Sequence, residues 1–293
     1  MSENGHELEG TTRTKASNEV EDVPGRDYPS YRVEPGEVVS LAAIDPDETE
    51  HYRKKKEVTR ELEKQRRRIQ GLQARLYAEN ERGLLIVLQA MDTGGKDGTI
   101  KHVFDGINPQ GCRVSSFKTP SAEEANHDFL WRYHKSAPAK GRIGIFNRSH
   151  YEEVLIVRVK NMVPEDIWRQ RYDQINAFER NLSLNGITVL KFFLHISREE
   201  QKRRLRSRLD NPDKRWKFSS ADIKERAFWD DYQQAFEDVL SNCSTEHAPW
   251  YVVPANKKWY RNLVVARTIA DTLEAMDPHY PPAEEGLDKV KIP

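Results

Sequence analysis

A buried strand, a glycine-containing turn and a helix that begins at a lysine are expected within GLLIVLQAMDTGGKDGTIKHVFDG, residues 83–106. The apolar run GLLIVLQA predicts the strand, and the spacing of Ile100, Val103 and Phe104 predicts an amphipathic helix. Such an arrangement is typical of a phosphate-binding loop, because backbone N–H groups and the positive end of the helix surround the anion. An ordinary strand-to-helix turn is the alternative.

The segment departs at two positions from the usual phosphate-loop pattern, G-x-x-x-x-G-K-[ST]. Gly95 and Lys96 match it, but Ala90 replaces the first glycine and Asp97 replaces the serine or threonine. Asp92 and Asp97 would repel a phosphate unless a cation lay between them, and Mg²⁺ binds through one or two carboxylates with phosphate oxygens. Both are therefore candidate metal ligands. A first-turn carboxylate favoured by the helix dipole is the alternative for Asp97.

Composition narrows the class of protein. The 293 residues can form one large α/β domain or two small ones. The 47 basic and 47 acidic residues give zero net charge, so overall basicity does not indicate nucleic-acid binding. Cys112 and Cys243 are too few for a disulfide framework or a metal site and are expected to be buried or half-buried thiols of a reducing compartment. No apolar run approaches the roughly 18 residues that span a membrane, and a polar N-terminus predicts a cytoplasmic protein.

The chain divides into four expected segments. Residues 1–28 are polar and predict a disordered tail. Residues 29–80 are expected to form an extension and a long helix that packs on the core. Residues 81–282 are expected to form the main domain, and residues 283–293 a C-terminal tail.

The long helix is expected from about His51 to Asn80, because apolar residues from Val58 to Leu76 recur at three-, four- and seven-residue spacings. Its other faces carry many lysines and arginines. We interpret them as a solvated helix face with interspersed glutamates, and contact with a polyanion is the alternative.

Short apolar runs alternate with helical patterns after the first strand. Further strands are expected at Cys112–Phe117, Arg142–Asn147, Gly186–Ile196 and Trp250–Pro254. Helices are expected at Ala122–Lys135, Glu165–Leu184, Glu199–Leu209, Ser220–Ser241 and Trp259–Met276. This alternation predicts an α/β fold in which a parallel five-stranded sheet is flanked by helices. Ligands of such sheets bind at the carboxyl ends of the strands.

Polar residues follow the strand expected at Arg142–Asn147, within GRIGIFNRSHYEEV. Asn147 stands where phosphate-loop enzymes usually present an acid to the metal or its water. Arg148 can donate two hydrogen bonds to phosphate oxygens, and Glu152 can supply negative charge. A polar helix cap explains Ser149 and Glu152 well, but it does not explain Arg148.

A basic segment follows the strand expected at Gly186–Ile196. Nine lysines or arginines lie between Arg198 and Lys217, and Asn211-Pro212 interrupts the helical pattern. A helix, a turn and a second helix would project from the sheet where nucleotide kinases carry a mobile lid over phosphates. We therefore predict a lid at about residues 198–225, with a solvated charged face as the alternative.

Four segments together resemble the polyphosphate kinase 2 family: AMDTGGKDGTIKHVF, IGIFNRSHYEEVLIVRV, RLDNPDKRWKFSSADIKERAFWDDY and APWYVVPANKKWYRN. The resemblance runs from about Ser30 to about Pro282. It implies a P-loop kinase fold with a helical lid, Mg²⁺ dependence, and reversible phosphate transfer between inorganic polyphosphate and a nucleotide. Many members of the family have DRSWY where this chain has NRSHY, which resembles the subgroup that phosphorylates nucleoside monophosphates as well as diphosphates.

The resemblance and the residues together suggest a role for each candidate. The expected catalytic residues are Asp92, Lys96, Asn147, Arg148, Arg204 and Arg208. The expected phosphate or nucleotide contacts are Gly94, Gly95, Asp97, Gly98, Thr99, Lys118 and Arg132. Asp92 and Asp97 are the expected Mg²⁺ ligands, and the residue that replaces the missing acid at Asn147 stays open. Lys118 has a solvated loop lysine as its alternative.

The expected partners are inorganic polyphosphate and adenine or guanine nucleotides, without nucleic acid or membrane. A homodimer or homotetramer is expected, because helical surfaces such as Trp259–Met276 offer a flat face. An ATP-dependent kinase of a nucleotide or small metabolite is the main alternative, since it would share the loop and the lid. A non-catalytic polyanion-binding module and a structural protein are further alternatives, although Asp92 and Asp97 argue against simple polyanion binding.

Overall fold

The computed structural model describes residues 28–287, 290 and 292. Except for Tyr28, the disordered tail predicted for residues 1–28 lies outside the described residues. The Tyr28 hydroxyl donates a hydrogen bond to the Asp271 carboxylate, so this residue is attached to the domain. Four positions of the predicted C-terminal tail also lie outside the description, namely residues 288, 289, 291 and 293.

Five parallel strands form one sheet in the order β2-β3-β1-β4-β5. The strands are β1 Gly83–Gln89, β2 Cys112–Ser116, β3 Ile143–Asn147, β4 Ile187–His195 and β5 Trp250–Pro254. The predicted five-stranded α/β sheet is therefore confirmed. The chain passes from β1 to β2 and β3 on one side and then crosses to β4 and β5 on the other. A crevice for ligands is expected at the carboxyl end of β1, where this reversal occurs.

Helices connect the strands. They are α1 Lys55–Glu79, α2 Lys96–Val103, α3 Ala122–Ala125, α4 Trp131–Ser136, α5 Ile156–Val159, α6 Glu165–Leu184, α7 Arg198–Asp210, α8 Ser220–Glu225, α9 Trp229–Cys243 and α10 Lys258–Met276. The first helix begins at Lys55 instead of His51. Its start is capped by Glu57, whose carboxylate accepts the backbone N–H groups of Arg53 and Lys54 at 2.7 and 3.2 Å.

Two helices that were predicted as continuous are interrupted, so those predictions were wrong. Between α3 and α4, the Asp128 carboxylate accepts the backbone N–H of Leu130 at 2.9 Å. Such a local side-chain bond competes with the helical ladder. Between α8 and α9, a 3₁₀ turn intervenes, and Arg226 donates to the Arg198 carbonyl at 2.9 Å and to Gln201 at 2.8 Å. These bonds tie the interruption to α7.

The helix α10 is buried inside the domain. It packs against α1 and α2 and against the strands β4 and β5. Leu263, Ala266, Ile269, Ala270 and Leu273 have no exposed surface. The prediction that Trp259–Met276 offers a flat face to a second copy was therefore wrong. The homodimer or homotetramer stays a prediction, and it would have to use another surface.

The segment before α1 lies along the β5 edge of the sheet. Val33 donates its N–H to the Trp250 carbonyl at 2.8 Å, and Val252 donates to the Tyr31 carbonyl at 2.9 Å. Farther along, the backbone N–H of Leu41 donates to Glu237 of α9 at 2.7 Å. This segment thus covers an edge strand whose polar backbone groups would otherwise be unpaired.

A charged cluster lies inside the domain between β4, α6 and the 3₁₀ turn that follows β3. Lys191 Nζ is 2.5 Å from Glu179 Oε2 and 2.8 Å from the Tyr151 hydroxyl, and His150 Nε2 is 3.0 Å from Glu179 Oε1. All four side chains are fully buried. Burial lowers the pKa of His150. Burial opposes the charge of Glu179, but Lys191 and His150 outweigh this effect and lower its pKa.

The two cysteines lie in the domain, and neither forms a disulfide. Cys243 is buried and Cys112 is half-buried, and both are free, as predicted. Within the part of the chain that the structure describes, no helix has the length and the apolar character needed to cross a membrane.

Candidate active site

The loop between β1 and α2 requires glycine at two positions. A Cβ atom at Gly94 would lie 2.4 Å from the Ala90 Cβ atom, so a side chain cannot be accommodated there. The loop therefore accepts Ala90 in place of the first glycine of the usual pattern, because the Ala90 Cβ atom faces Gly94, which has no side chain. Gly95 has a φ of 107°, which disfavours residues with a side chain.

Lys96 is the first residue of α2 and turns back toward the loop. Its Nζ donates to the carbonyl oxygen of Ala90 at 3.1 Å. Burial lowers the pKa of Lys96, and the nearby Arg148 lowers it further, while Asp92 and Glu152 oppose these effects. A bound anion at this position would favour the charged lysine.

Arg148, directly after β3, adopts a left-handed backbone conformation with a φ of 64°. Residues with side chains rarely adopt it, and they cluster at functional sites when they do. Its Nη2 lies 3.2 Å from Asp92 Oδ1, and its Nη1 lies 3.7 Å from Glu152 Oε2. Burial opposes the guanidinium charge, but Glu152 and Asp92 outweigh it and raise the pKa of Arg148.

Asp97 is the point where the loop, β3 and the predicted lid meet. The Asn147 amide nitrogen donates to Asp97 Oδ1 at 2.8 Å. Lys217, from the predicted lid, places its Nζ 3.7 Å from Asp97 Oδ2. The side chain of Asp97 is nevertheless 71% exposed, so its carboxylate remains accessible to a ligand.

A cavity of about 1410 Å³ opens above the loop. Its charged lining is strongly unbalanced although the whole chain has zero net charge. The carboxylates are Glu63, Asp92, Asp97 and Asp222. The cations are Lys55, Arg66, Lys96, Lys101, Lys118, Arg148, Arg203, Arg204, Arg208, Lys214, Lys217, Lys258 and Arg261. Such a concentration of positive charge attracts polyanions.

Most of the predicted site residues line this cavity. They are Asp92, Gly94, Gly95, Lys96, Asp97, Gly98, Lys118, Asn147, Arg148, Arg204 and Arg208. Thr99 does not, because it is buried in α2 with its hydroxyl donating to the Gly95 carbonyl at 3.2 Å. Arg132 does not line the cavity either. Its Nη1 donates to the Lys118 carbonyl at 2.7 Å, and Nη2 lies 3.5 Å from Glu153, so it holds the loop after β2.

Arg204 was predicted to cover phosphates from the lid, but it lies behind the loop. Its Nη1 donates to the carbonyl oxygens of Gly94 at 2.8 Å and Thr93 at 3.1 Å. Its Nε donates to Glu200 at 2.6 Å, which balances the buried charge. Arg204 therefore fixes the loop carbonyls in place. The hydroxyl oxygen of Thr93, on the same loop, has no hydrogen-bond partner among the described residues.

Arg208 lies one helical turn farther along α7 and holds the predicted lid together. Its Nη1 is 3.2 Å from the Lys217 carbonyl oxygen and 3.4 Å from Asp222 Oδ2. Because it lines the cavity, the same guanidinium is also available to a ligand there.

Several lining residues were not predicted from the sequence. Lys258 and Arg261 of α10 were missed, although the position of ANKKWYRN directly after β5 could have indicated them. Lys55 and Arg66 of α1 also line the cavity. At these two positions the structure favours the polyanion alternative over a simple solvated face. The basic faces of this helix had left contact with a polyanion as the alternative, but the pattern could not show which side chains line the cavity, because that depends on tertiary packing.

Magnesium would be compatible with the donors at this site. Among residues 28–287, 290 and 292, no group of three or more His, Cys, Asp or Glu side chains could hold a metal ion. Asp92 and Asp97 line the same cavity beside the Asn147 amide. Mg²⁺ usually takes only one or two carboxylates and completes its shell with waters and phosphate oxygens, so this set fits it.

Comparisons with known proteins agree on one family. Residues 52–281 match the family described as Polyphosphate kinase 2 (PPK2). The chain is 52% identical over 263 residues to the AMP/ADP-polyphosphate phosphotransferase of Meiothermus ruber, covering 89% of this chain and 98% of the relative. It is 47% identical over 263 residues to the ADP-polyphosphate phosphotransferase of Rhodopseudomonas palustris, covering 86% and 91%. The crystal structure of polyphosphate kinase 2 from Arthrobacter aurescens TC1 aligns with a TM-score of 0.85 at 44% identity, covering 88% of this chain and 93% of that one.

Proposed function

Since this chain belongs to the polyphosphate kinase 2 family, we propose that it transfers phosphate reversibly between inorganic polyphosphate and the adenine nucleotides AMP and ADP. The observation that carries the proposal is the cavity at the phosphate loop, whose cations far outnumber its carboxylates. Phosphoryl transfer depends mainly on positioning and on neutralising charge, and this cavity offers groups for both.

The loop and Lys96 hold the phosphates at the reacting centre. Backbone N–H groups at the start of α2 and the positive end of that helix attract phosphate oxygens. Lys96 adds a fixed point charge, and its hydrogen bond to Ala90 holds it beside the loop. Arg204 supports this geometry from behind by bonding the carbonyls of Thr93 and Gly94.

Polyphosphate is a long polyanion, and the cavity offers cations well beyond the loop. The cavity is lined by Lys55 and Arg66 of α1, by Lys101 of α2, and by Lys214 and Lys217 of the predicted lid. We assign these side chains to successive phosphates of the chain, which would not all contact a single nucleotide.

Arg148 and Arg208 neutralise charge on the transferring group. Arg148 is held by Asp92 and Glu152. Residues 198–225 act as the lid, and the approach of Lys217 to Asp97 brings the lid to the loop. When phosphate enters, these cations exchange protein carboxylates for phosphate oxygens, which form strong charge-assisted bonds.

Asp92 and Asp97 would hold Mg²⁺, with the Asn147 amide beside them. When bound there, Mg²⁺ would supply positive charge that offsets the charge of the phosphates. Two neighbouring side chains orient these carboxylates. Asn147 orients Asp97 through its amide, and Arg148 orients Asp92.

The acceptor nucleotide is placed near Lys118, at the cavity wall formed by the end of β2. We propose that AMP and ADP are both accepted, because NRSHY replaces DRSWY and because the Meiothermus ruber relative is named an AMP/ADP-polyphosphate phosphotransferase.

The test is nucleotide formation by purified protein with long-chain polyphosphate and Mg²⁺, with AMP and ADP offered separately. We expect ATP from ADP, and ADP or ATP from AMP. EDTA and Lys96→Ala should each abolish both. If polyphosphate gave no product with either nucleotide while ATP phosphorylated another acceptor, the protein would be an ATP-dependent kinase instead.

A further inference from the structure

Arg261 lies beneath the phosphate loop and is almost completely enclosed. Only 1% of its surface is exposed. Its Nε and Nη2 donate to the side-chain oxygen of the neighbouring Asn262 at 3.1 and 2.7 Å. Its Nη1 makes a long hydrogen bond of 3.4 Å to the Gly94 carbonyl. The charged end of the side chain is therefore directed at the loop.

A glycine of the loop, Gly95, makes room for this guanidinium. A Cβ atom at Gly95 would lie 1.9 Å from Arg261 Nη1, and one at Gly98 would lie 3.4 Å from Nη2. Gly98 stands in the first turn of α2, where glycine weakens a helix relative to alanine. At position 98, however, 3.4 Å is an ordinary van der Waals contact, so the guanidinium disfavours a side chain at position 95 and not at position 98.

The charge of Arg261 has no acidic partner within the part of the chain that the structure describes. None of the salt bridges within residues 28–287, 290 and 292 includes it. Burial and the neighbouring Arg204 lower the pKa of Arg261 to about 9. Arg267 on the same helix is a useful contrast, since it is as deeply buried but pairs with Glu50 at 2.9 Å. A buried cation without compensation is costly, and anion binding beside it removes that cost.

We propose that Arg261 is a positioning residue of the phosphate loop whose uncompensated charge is neutralised by the phosphate group bound there. It acts through the loop, by restraining the Gly94 carbonyl and by raising the positive potential beneath Gly95 and Gly98. This inference rests on the proposed function and adds an anion-dependent stabiliser that the usual loop pattern does not contain.

The test compares thermal unfolding of the full chain with and without tripolyphosphate, and separately with ADP. The variants are Arg261→Met, Arg261→Lys and the control Arg267→Met.

Without phosphate, we expect Arg261→Met to melt at the same temperature as the wild type or higher, because a buried unpaired charge is removed. Its Kd for tripolyphosphate should rise by about 10- to 100-fold, the range for losing one charged contact. Arg261→Lys should recover much of this affinity.

The control separates a structural role from a role in phosphate binding. Arg267→Met should melt at a lower temperature and keep the full stabilisation by tripolyphosphate, and where it does not fold, Arg267→Lys takes its place. Wild-type affinity for both ligands in Arg261→Met would overturn the proposal, as would an affinity loss that Arg261→Lys does not recover. A loss confined to tripolyphosphate or to ADP identifies which substrate supplies the phosphate. If the wild type neither bound tripolyphosphate nor turned over, the proposed function itself would fail.

Discussion

At the scale of single residues, Lys96 combines partial burial with a lowered pKa, which results from burial first and from Arg148 second. Among the described residues, its side chain makes one hydrogen bond, which is to the Ala90 carbonyl. A lysine in this state is better stabilised by an incoming phosphate than by its own surroundings. Its contribution should therefore appear in turnover and not in folding.

We predict that Lys96→Met lowers kcat/KM for polyphosphate and ADP by about 10²- to 10³-fold, as for other fixed charge-stabilising donors. The melting temperature without phosphate should stay constant or rise. Lys101→Met is the matched control, because Lys101 lies on the same helix and lines the same cavity but is exposed. Steady-state kinetics should show a much smaller loss for it. Equal losses would mean that Lys96 acts only as part of a general basic surface.

At the scale of elements, glycine has opposite effects on stability in α1 and in the loop between β1 and α2. Gly71 lies in the middle of α1, is exposed and has nothing within 4 Å of where a Cβ atom would be. Gly94 lies in the loop, where a Cβ atom would come within 2.4 Å of the Ala90 Cβ atom and 2.8 Å of the Met91 carbonyl. The first glycine only weakens its helix, whereas the second allows the loop to form.

We predict that Gly71→Ala stabilises the protein by about 0.5–1 kcal/mol, because alanine is the better helix former. Gly94→Ala should destabilise it by about 1–3 kcal/mol, the usual cost of overpacking, and should also impair turnover. Urea unfolding and steady-state kinetics on both variants test this. Unimpaired turnover in Gly94→Ala would show that the loop tolerates rearrangement.

At the scale of the whole molecule, the buried cluster of His150, Tyr151, Glu179 and Lys191 joins three elements through one carboxylate. Glu179 accepts from the other three side chains, so its removal leaves a fully buried lysine without a counter-charge. The cluster is also sensitive to acid, because burial keeps His150 neutral in the folded protein.

We predict that Glu179→Gln lowers the free energy of unfolding by about 3–5 kcal/mol, as expected for breaking a buried pair on one side. Glu165 provides the control on the same helix, since its salt bridge to Arg169 is largely exposed. Glu165→Gln should leave the urea midpoint unchanged. Similar midpoints for the two variants would contradict the assigned role of the cluster.

The pH dependence of stability follows from the lowered pKa of His150. The unfolded chain binds a proton near the ordinary value of 6.5, and the folded chain does so only at lower pH. The contribution of His150 to the free energy of unfolding is therefore fully present above pH 6.5. It decreases as the pH falls toward the folded-state pKa, by up to about 1.4 kcal/mol per pH unit. Urea unfolding at several pH values should show a shallower fall in His150→Asn. A remaining slope is expected from His195, whose pKa burial also lowers.

The strands and the glycine-containing turn between β1 and α2 could be predicted from sequence because their signals are local. The strand β1, for example, is the mainly apolar run GLLIVLQ, and all seven of its residues are buried. The break before α4 could not be predicted, because it depends on one hydrogen bond that the Asp128 carboxylate accepts from the Leu130 backbone. The positions of Arg204 and Arg261 could not either. Whether an arginine in a basic segment reaches solvent or the back of a loop depends on tertiary packing, and no spacing rule reports it.

The placement of α10 has a consequence for how the enzyme is made. Lys96 and Gly95 are synthesised early, but Arg261 belongs to the last helix of the domain. A nascent chain that has left the ribosome only through β4 contains the whole glycine loop yet has neither the Arg261 guanidinium nor the predicted lid that follows β4. The loop and the Arg261 guanidinium can therefore come together only after α10 has been made.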